Sequence, residues 1–185
     1  ILQDLAGPKI RIGKMKEGGV DLKRGEKFVL TNREIMGDEK GASVTYPSLP
    51  GEVKPGDRIL LSDGTIELKV LESDAQNIRC QVVVEGILTS NKGMNFPTGT
   101  LLASAFTEKD HEDLLFGIKA GVDLIGLSYV KEAADIGRVK RVLERESADL
   151  PVIAKIERRE ALENIDEINS VSDGVMVARG DLGVE

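Results

Sequence analysis

The sequence predicts an α/β fold into which an all-β domain is inserted, because the chain changes texture along its length. From residue 9 to about residue 92, short segments of alternating polar and apolar residues are separated by turn residues, which is typical of β-strands. From about residue 107, helical and buried-strand patterns alternate at intervals of about 20–30 residues, which indicates βα units on a parallel sheet. The apolar run 1–5 supplies the strand before the insertion. Periodicity alone leaves a barrel and a doubly wound sheet open.

The β elements are short and bounded by turn residues. Asp63-Gly64 lies between two of them and is a strong hairpin signal. Pro47, Pro50 and Pro55 interrupt the middle of the region. The predicted strands are 9–12, 27–30, 58–61, 65–70 and 78–84. Together they predict a compact all-β unit of about 80 residues.

The α/β elements follow with clear boundaries. Thr107 is placed to cap a helix over 108–120, and Gly121 is placed to end it. A second helix over 133–147 carries one apolar stripe, and a third is predicted over 160–171. The intervening strands are predicted at 122–129, 151–156 and 174–178. This order gives three consecutive parallel strands after the β unit.

Composition limits the classes of partner. Of 185 residues, 25 are Lys or Arg and 32 are Asp or Glu, so the net charge of −7 disfavours nucleic acid and anionic membranes. The apolar runs fall short of the roughly 18–20 residues that span a bilayer. One cysteine, Cys80, fits a reducing compartment, so we expect a cytoplasmic protein. The chain starts at Ile1 and stops after a helix-opening turn, so we also expect a piece of a longer protein.

The predicted strand at 151–156 carries the most informative polar residues. Side chains alternate between the faces of a strand, so Lys155 and Glu157 point to one side, at the carboxyl end of a buried strand. Unpaired charges are costly to bury, which favours a shared site for the two groups. The alternative is that the strand simply ends there and both side chains reach water.

The next strand leads into Gly180 and Asp181. Gly180 permits close backbone approach, and the following turn exposes amide groups at a helix start, which is a natural anion site. The alternative is an ordinary loop in which Asp181 caps the helix. Taken with Lys155 and Glu157, the two carboxylates suit a divalent cation such as Mg²⁺ that holds an oxyanion. His111 lies on a polar helix, which argues against a role as a ligand, and zinc or thiol chemistry is disfavoured.

Five segments of the chain resemble the pyruvate kinase family, in the family's order. The resemblance implies a partial (β/α)₈ barrel with a β lid inserted after the third strand. Its domains are then 1–8 (end of barrel strand three), 9–93 (lid) and 94–185 (barrel through strand six). The matching segments are 4–11 (DLAGPKIR), 90–97 (SNKGMNFP), 108–110 (EKD), 155–157 (KIE) and 176–183 (MVARGDLG).

The resemblance implies a transferase of the last step of glycolysis. Such an enzyme moves the phosphoryl group of phosphoenolpyruvate to ADP, giving pyruvate and ATP, with Mg²⁺ or Mn²⁺. Lys155 matches the catalytic lysine at the transferring group, and Glu157 and Asp181 match the metal-binding carboxylates. The backbone N–H groups of Gly180 and Asp181 match the pair that holds the substrate carboxylate.

Other matches concern the lid and a monovalent cation. Arg11 and Lys92 match lid residues that contact nucleotide phosphates, although by pattern alone they are ordinary solvent-exposed charges. Asp4 matches a carboxylate of the potassium site. Potassium-requiring members have Glu where this chain has Lys9, so we hypothesise that the Lys9 ammonium replaces K⁺ and that K⁺ is not required. The segment 129–131 (YVK) stands where the family has Phe-Ile/Val-Arg, and little consequence is expected.

The resemblance also sets expectations for the whole protein and leaves two alternatives. The intact enzyme is expected to be a homotetramer, whereas this chain alone is expected to be inactive because other parts of the family's barrel supply further site residues. One alternative is a magnesium-dependent aldolase acting on pyruvate enolate, whose motifs 161–168 (ALENIDEI) resemble. The other is a non-catalytic, nucleotide-binding fragment.

Overall fold

A computed structural model describes residues 1–98 and 101–184. In this part of the chain there are twelve strands and six helices. The strands are β1 (Leu2–Leu5), β2 (Val20–Leu22), β3 (Lys27–Thr31), β4 (Gly41–Ser43), β5 (Arg58–Leu61), β6 (Ile66–Ser73), β7 (Asn77–Val84), β8 (Gly86–Leu88), β9 (Met94–Asn95), β10 (Leu124–Leu127), β11 (Val152–Ile156) and β12 (Gly174–Val177). The helices are α1 (Leu49–Glu52), α2 (Glu108–Ala120), α3 (Ala133–Arg145), α4 (Arg159–Glu163), α5 (Ile165–Val171) and α6 (Arg179–Leu182).

The chain divides into two compact units. The α/β unit comprises Ile1–Pro8 and Ala103–Gly183, and the β unit comprises the described residues of Lys9–Leu102 together with Val184. The domain boundaries expected from the sequence, 1–8, 9–93 and 94–185, stay predictions. Residues 99, 100 and 185 of the expected barrel segment lie outside the described residues.

The α/β unit is built on a parallel sheet of four strands in the order β1-β10-β11-β12. Val152, Ala154 and Ile156 on one face of β11 are at most 1 % exposed, because they pack against α2, α3 and α5 through one apolar cluster. Lys155 lies on the opposite face, as strand alternation requires. The predicted α/β class with a parallel sheet is therefore confirmed.

Local signals set most boundaries of this unit. The Thr107 side chain accepts a hydrogen bond from the backbone N–H of Asp110 and caps α2 as predicted. Gly121 ends the helix in the left-handed conformation at a φ of 74°. The helix predicted over 160–171 is wrong as one element, since the chain breaks at Asn164 into α4 and α5. The Asn164 side chain donates to the backbone oxygen of Lys131, so a tertiary contact fixes the break.

The β unit contains a six-stranded sheet, in the order β4-β3-β7-β6-β5-β9, and the two-stranded sheet β2-β8. The hairpin between β5 and β6 forms at Asp63 and Gly64, both with positive φ, as predicted. The predicted strand 9–12 is wrong, because Arg11 and Ile12 make only isolated bridges. The unit is also not purely β: α1 begins after Ser48 with Pro50 in its first turn, where a missing N–H costs nothing.

Among residues 1–98 and 101–184, no helix is both long enough and apolar enough to cross a membrane.

Candidate active site

Lys155 is the centre of a polar cluster at the carboxyl ends of the parallel strands. Its Nζ atom lies 2.9 Å from Glu157 Oε1 and 3.0 Å from each carboxylate oxygen of Asp4. It also donates to Ser128 Oγ at 2.7 Å, and this hydroxyl donates to Asp4. The Lys155 side chain is 13 % exposed and that of Glu157 is 10 % exposed. The alternative in which both groups simply reach water is therefore wrong.

Gly126 lies beneath the side chain of Lys155. This residue lies on β10, between Asp4 on β1 and residue 153 on β11 in the strand register. A Cβ atom at Gly126 would lie 3.7 Å from Lys155 Cδ and 3.1 Å from Leu2 Cδ2. The contact with Leu2 is tight and the contact with Lys155 is an ordinary van der Waals contact, so the lysine stem runs directly over the glycine and a side chain much larger than a methyl group would meet it.

The cluster keeps Lys155 charged. Burial lowers the pKa of this ammonium, but hydrogen bonds and charge interactions with Glu157 and Asp4 outweigh burial, so the pKa is raised above its ordinary value. The group therefore remains a cation at neutral pH. It is suited to stabilise negative charge and unsuited to accept a proton as a general base.

Glu157 is held at both carboxylate oxygens. Oε1 faces Lys155, while Oε2 accepts the backbone N–H of Tyr129 at 3.0 Å. Tyr129 has a φ of 63°, a left-handed conformation that costs a bulky residue about 1–3 kcal/mol and persists where the surroundings enforce it. The unusual backbone thus lies directly beside the carboxylate.

Arg158 and Ser128 are polar residues of this region that sequence reasoning missed. The Arg158 side chain is 2 % exposed, makes two hydrogen bonds to Glu160, and places its guanidinium carbon 4.3 Å from the centre of the Tyr129 ring. Burial raises the pKa of Glu160, but the hydrogen bond and charge of Arg158 lower it by more. The only sequence signal was an arginine directly after Glu157, and its stacking partner lies on another strand end.

Asp181 and Gly180 lie in the four-residue helix α6, and both are exposed. The cap position of this helix is Ala178, so the alternative that Asp181 is its cap residue is wrong. Over residues 1–98 and 101–184, no hydrogen bond or ion pair joins the Asp181 side chain to Lys155 or Glu157, and no group of three or more His, Cys, Asp or Glu residues is arranged to hold a metal ion. Convergence of Asp181 with Glu157 on a metal stays a prediction.

The predicted nucleotide contacts lie in the β unit, where Arg11 and Lys92 are both exposed. Arg11 donates from Nη1 to the backbone oxygen of Asn91 at 2.8 Å, and the backbone oxygen of Lys92 accepts the N–H of Ile12 at 2.9 Å. Lys9 is also exposed, and its backbone oxygen accepts the Thr45 hydroxyl. The Arg11 side chain is thus held by a neighbouring backbone oxygen, whereas these contacts of Lys9 and Lys92 are made by their own backbone oxygens.

An ammonium and carboxylates at the carboxyl ends of parallel strands are typical of the catalytic face of an α/β barrel. The family model "Pyruvate kinase, barrel domain" matches residues 1–185, and the chain belongs to this family. The predicted resemblance and the partial-barrel fold class are thereby confirmed.

Relatives from several organisms are named pyruvate kinase. The chain is 51 % identical over its whole length to a pyruvate kinase of Thermococcus litoralis, of which it covers 39 %. It is 48 % identical over its whole length to pyruvate kinase 2 of Synechocystis, covering 32 % of that protein. It is 46 % identical over its whole length to a pyruvate kinase of Thermotoga maritima, covering 40 %. The chain thus spans about a third to two-fifths of the length of these relatives.

Proposed function

We propose that the complete protein containing this chain transfers the phosphoryl group of phosphoenolpyruvate to ADP and forms pyruvate and ATP. This is the last step of glycolysis, and it makes the protein a phosphotransferase of the cytoplasm. Family membership supports the reaction class. The observation that carries the proposal is the Lys155 ammonium, which is held charged between Glu157 and Asp4 at the strand ends.

Lys155 acts as a fixed positive charge in this reaction. The transferred group spreads negative charge over its oxygens, so catalysis depends on alignment and electrostatic stabilisation. A lysine ammonium is a compact charge suited to an oxyanion. Its two carboxylate partners and Ser128 set its position before substrate binds, which avoids reorganisation during the reaction.

Glu157 and Asp181 are the residues that would hold Mg²⁺ or Mn²⁺. Mg²⁺ is usually bound through one or two carboxylates, with substrate oxygens and water completing its shell, so a pair of protein carboxylates fits this ion. When bound, the ion supplies Lewis-acid stabilisation of enolate charge, worth several kcal/mol. The backbone N–H groups of Gly180 and Asp181 would hold the substrate carboxylate.

Arg11 and Lys92 of the β unit would contact the phosphates of ADP and ATP. Their exposed side chains can reach a ligand without breaking a buried ion pair. Lys9 would supply the positive charge that K⁺ brings to other members, with Asp4 as the carboxylate of that site. The complete protein would be a homotetramer, and the 185-residue chain by itself would be inactive.

A coupled assay on the complete purified protein tests the proposal. ATP formed from phosphoenolpyruvate and ADP with Mg²⁺, and lost in Lys155→Met, supports it. Cleavage that yields an aldehyde and pyruvate would instead identify the aldolase. Calorimetric binding of Mg²⁺-ADP without turnover would indicate a binding protein. Measurable ATP formation by the 185-residue chain would overturn the expectation that it is inactive.

A further inference from the structure

A chain of contacts within the α/β unit connects Arg158 to the carboxylate of Glu157. Glu160 holds the Arg158 guanidinium through hydrogen bonds of 3.2 and 3.1 Å. The guanidinium lies 4.3 Å from the Tyr129 ring centre, and the Tyr129 N–H donates to Glu157 at 3.0 Å. Arg158 directly follows Glu157, so the contacts close a loop around the carboxylate.

The Tyr129 backbone is packed from a second side. Gly7, with a φ of 64°, comes so close that a Cβ atom on it would lie 3.0 Å from the Tyr129 Cβ. The N–H of Gly7 donates to the buried carboxylate of Asp110 at 3.1 Å, which fixes the glycine in turn. The Tyr129 backbone is therefore packed closely against Gly7, and its ring stacks on the Arg158 guanidinium. These surroundings can hold a left-handed φ that a tyrosine rarely adopts.

The orientation of Glu157 depends on this amide. Without the Tyr129 N–H, both carboxylate oxygens would be free to rotate toward the Lys155 ammonium, which already lies 2.9 Å from Oε1. With it, Oε2 is kept away from the lysine and the carboxylate plane is set. Hydrogen-bond partners that orient a ligand in this way typically change metal affinity 10- to 100-fold when removed.

We propose that Tyr129 and Arg158 act as one positioning unit for Glu157. The aromatic–guanidinium stack holds the left-handed Tyr129 backbone, and that backbone aims the N–H at the carboxylate. The pair touches no reacting atom in this role. The consequence for divalent-metal affinity rests on the proposed function, whereas the consequence for the Tyr129 amide does not.

The test compares Arg158→Ala, Tyr129→Leu and the double variant in the complete protein. Tyr129→Phe keeps the ring face and is the conservative rescue. Arg159→Ala is the matched control, since it removes the same charge one residue later from a side chain that is 73 % exposed. Hydrogen exchange of the peptide 127–131 reports the Tyr129 amide, and electron paramagnetic resonance titration reports Mn²⁺ binding without substrate. Thermal melting identifies variants that fail to fold.

Both single variants are expected to speed exchange of the Tyr129 amide about tenfold and to weaken Mn²⁺ binding about tenfold. The double variant should match either single one, because removal of one partner already abolishes the stack. Tyr129→Phe and Arg159→Ala should stay within about twofold of the parent protein. If Arg158→Ala unfolds, Arg158→Lys, which keeps the charge but lacks the planar group, should show the same changes.

Unchanged amide exchange in a folded Arg158 variant would overturn the inference, and so would additive effects of the two substitutions. If the parent protein forms no ATP and binds no Mn²⁺, the proposed function fails, while the exchange experiment still decides whether the stack holds the Tyr129 amide.

Discussion

The two units of the chain differ in how far their paired charged side chains are exposed to solvent. The α/β unit encloses Lys155, Glu157 and Arg158, whose side chains are 13 %, 10 % and 2 % exposed. In the described residues of the β unit, by contrast, most ion pairs are exposed, as at Lys16, with 54 % of its side chain exposed, although Glu67 beside Arg58 is only 16 % exposed. Exposed pairs contribute about 0–1 kcal/mol, whereas a buried charge without its partner costs several. Removing one partner from the enclosed cluster should therefore have a larger effect than removing one partner from an exposed pair.

The largest expected effect tests this contrast at its centre. Lys155→Met removes the enclosed ammonium and should lower kcat for ATP formation about a hundred- to a thousandfold, because a preorganised charge is lost. Lys16→Met removes an exposed ammonium of the β unit and should leave kcat unchanged. Steady-state assays of the complete protein compare the two variants, with thermal melting as a check on folding. Equal losses would show that burial does not distinguish functional from surface charge in this chain.

A second prediction concerns the exposed cations expected to bind nucleotide. Arg11→Ala and Lys92→Ala should each raise KM for ADP about tenfold, since a charge-assisted hydrogen bond is worth about 1.5–3 kcal/mol. KM for phosphoenolpyruvate should change little. Arg79→Ala is the control, because Arg79 is an exposed cation of the same unit that pairs with Glu72 and Asp74. Unchanged ADP kinetics would remove Arg11 and Lys92 from the proposed nucleotide site.

The parts of the fold that the sequence predicted correctly depend on interactions between residues that are close in sequence. Thr107 and Gly121 bound a helix through contacts within a few residues, and Asp63-Gly64 forms a hairpin through its own dihedral preferences. Such signals do not depend on the rest of the molecule. The break at Asn164 depends on a hydrogen bond to Lys131, which is distant in sequence, so periodicity predicted one helix where there are two.

The candidate site divides in the same way. Strand alternation placed Lys155 and Glu157 on one side, and their contact at 2.9 Å agrees with that inference. The contacts of Ser128, Tyr129 and Arg158 cross from one strand end to another and depend on register, which no local pattern encodes. The sequence pattern suggested a divalent cation at Glu157 and Asp181, and the family resemblance implied the same role, but the convergence of these two carboxylates stays a prediction.

A third prediction uses a partly enclosed polar pair of the β unit. The Tyr46 hydroxyl donates to Glu52 Oε1 at 2.7 Å, and burial, followed by this hydrogen bond, raises the pKa of Tyr46 to about 12. Below pH 10 the tyrosine is neutral in both states and its contribution to stability is complete. Between pH 10 and 12 the unfolded chain ionises first, so this contribution declines as pH rises.

Tyr46→Phe should therefore lower the free energy of unfolding by about 1 kcal/mol near pH 8, the usual value of one hydrogen bond. The difference from the parent protein should shrink toward pH 12. Urea unfolding followed by circular dichroism at both pH values measures it. A difference independent of pH would mean that the phenol ionises alike in the folded and unfolded states.

The smallest expected effect concerns potassium. In the α/β unit, the Asp4 carboxylate already has the Lys155 ammonium at 3.0 Å and the Ser128 hydroxyl as a donor. In the β unit, Lys9 stands where potassium-requiring members of the family carry a glutamate, so the chain brings its own extra cation. ATP formation should then change by less than about twofold when K⁺ replaces tetramethylammonium at constant ionic strength.

Lys9→Glu should make the rate depend on K⁺, whereas Lys14→Glu, the same charge change at an exposed neighbour, should not. A steep K⁺ requirement of the parent protein would refute the replacement. It would also mean that the role of Lys9, an exposed charge of the β unit, cannot be inferred from its position in the sequence. In this respect Lys9 would differ from the enclosed charges of the α/β unit.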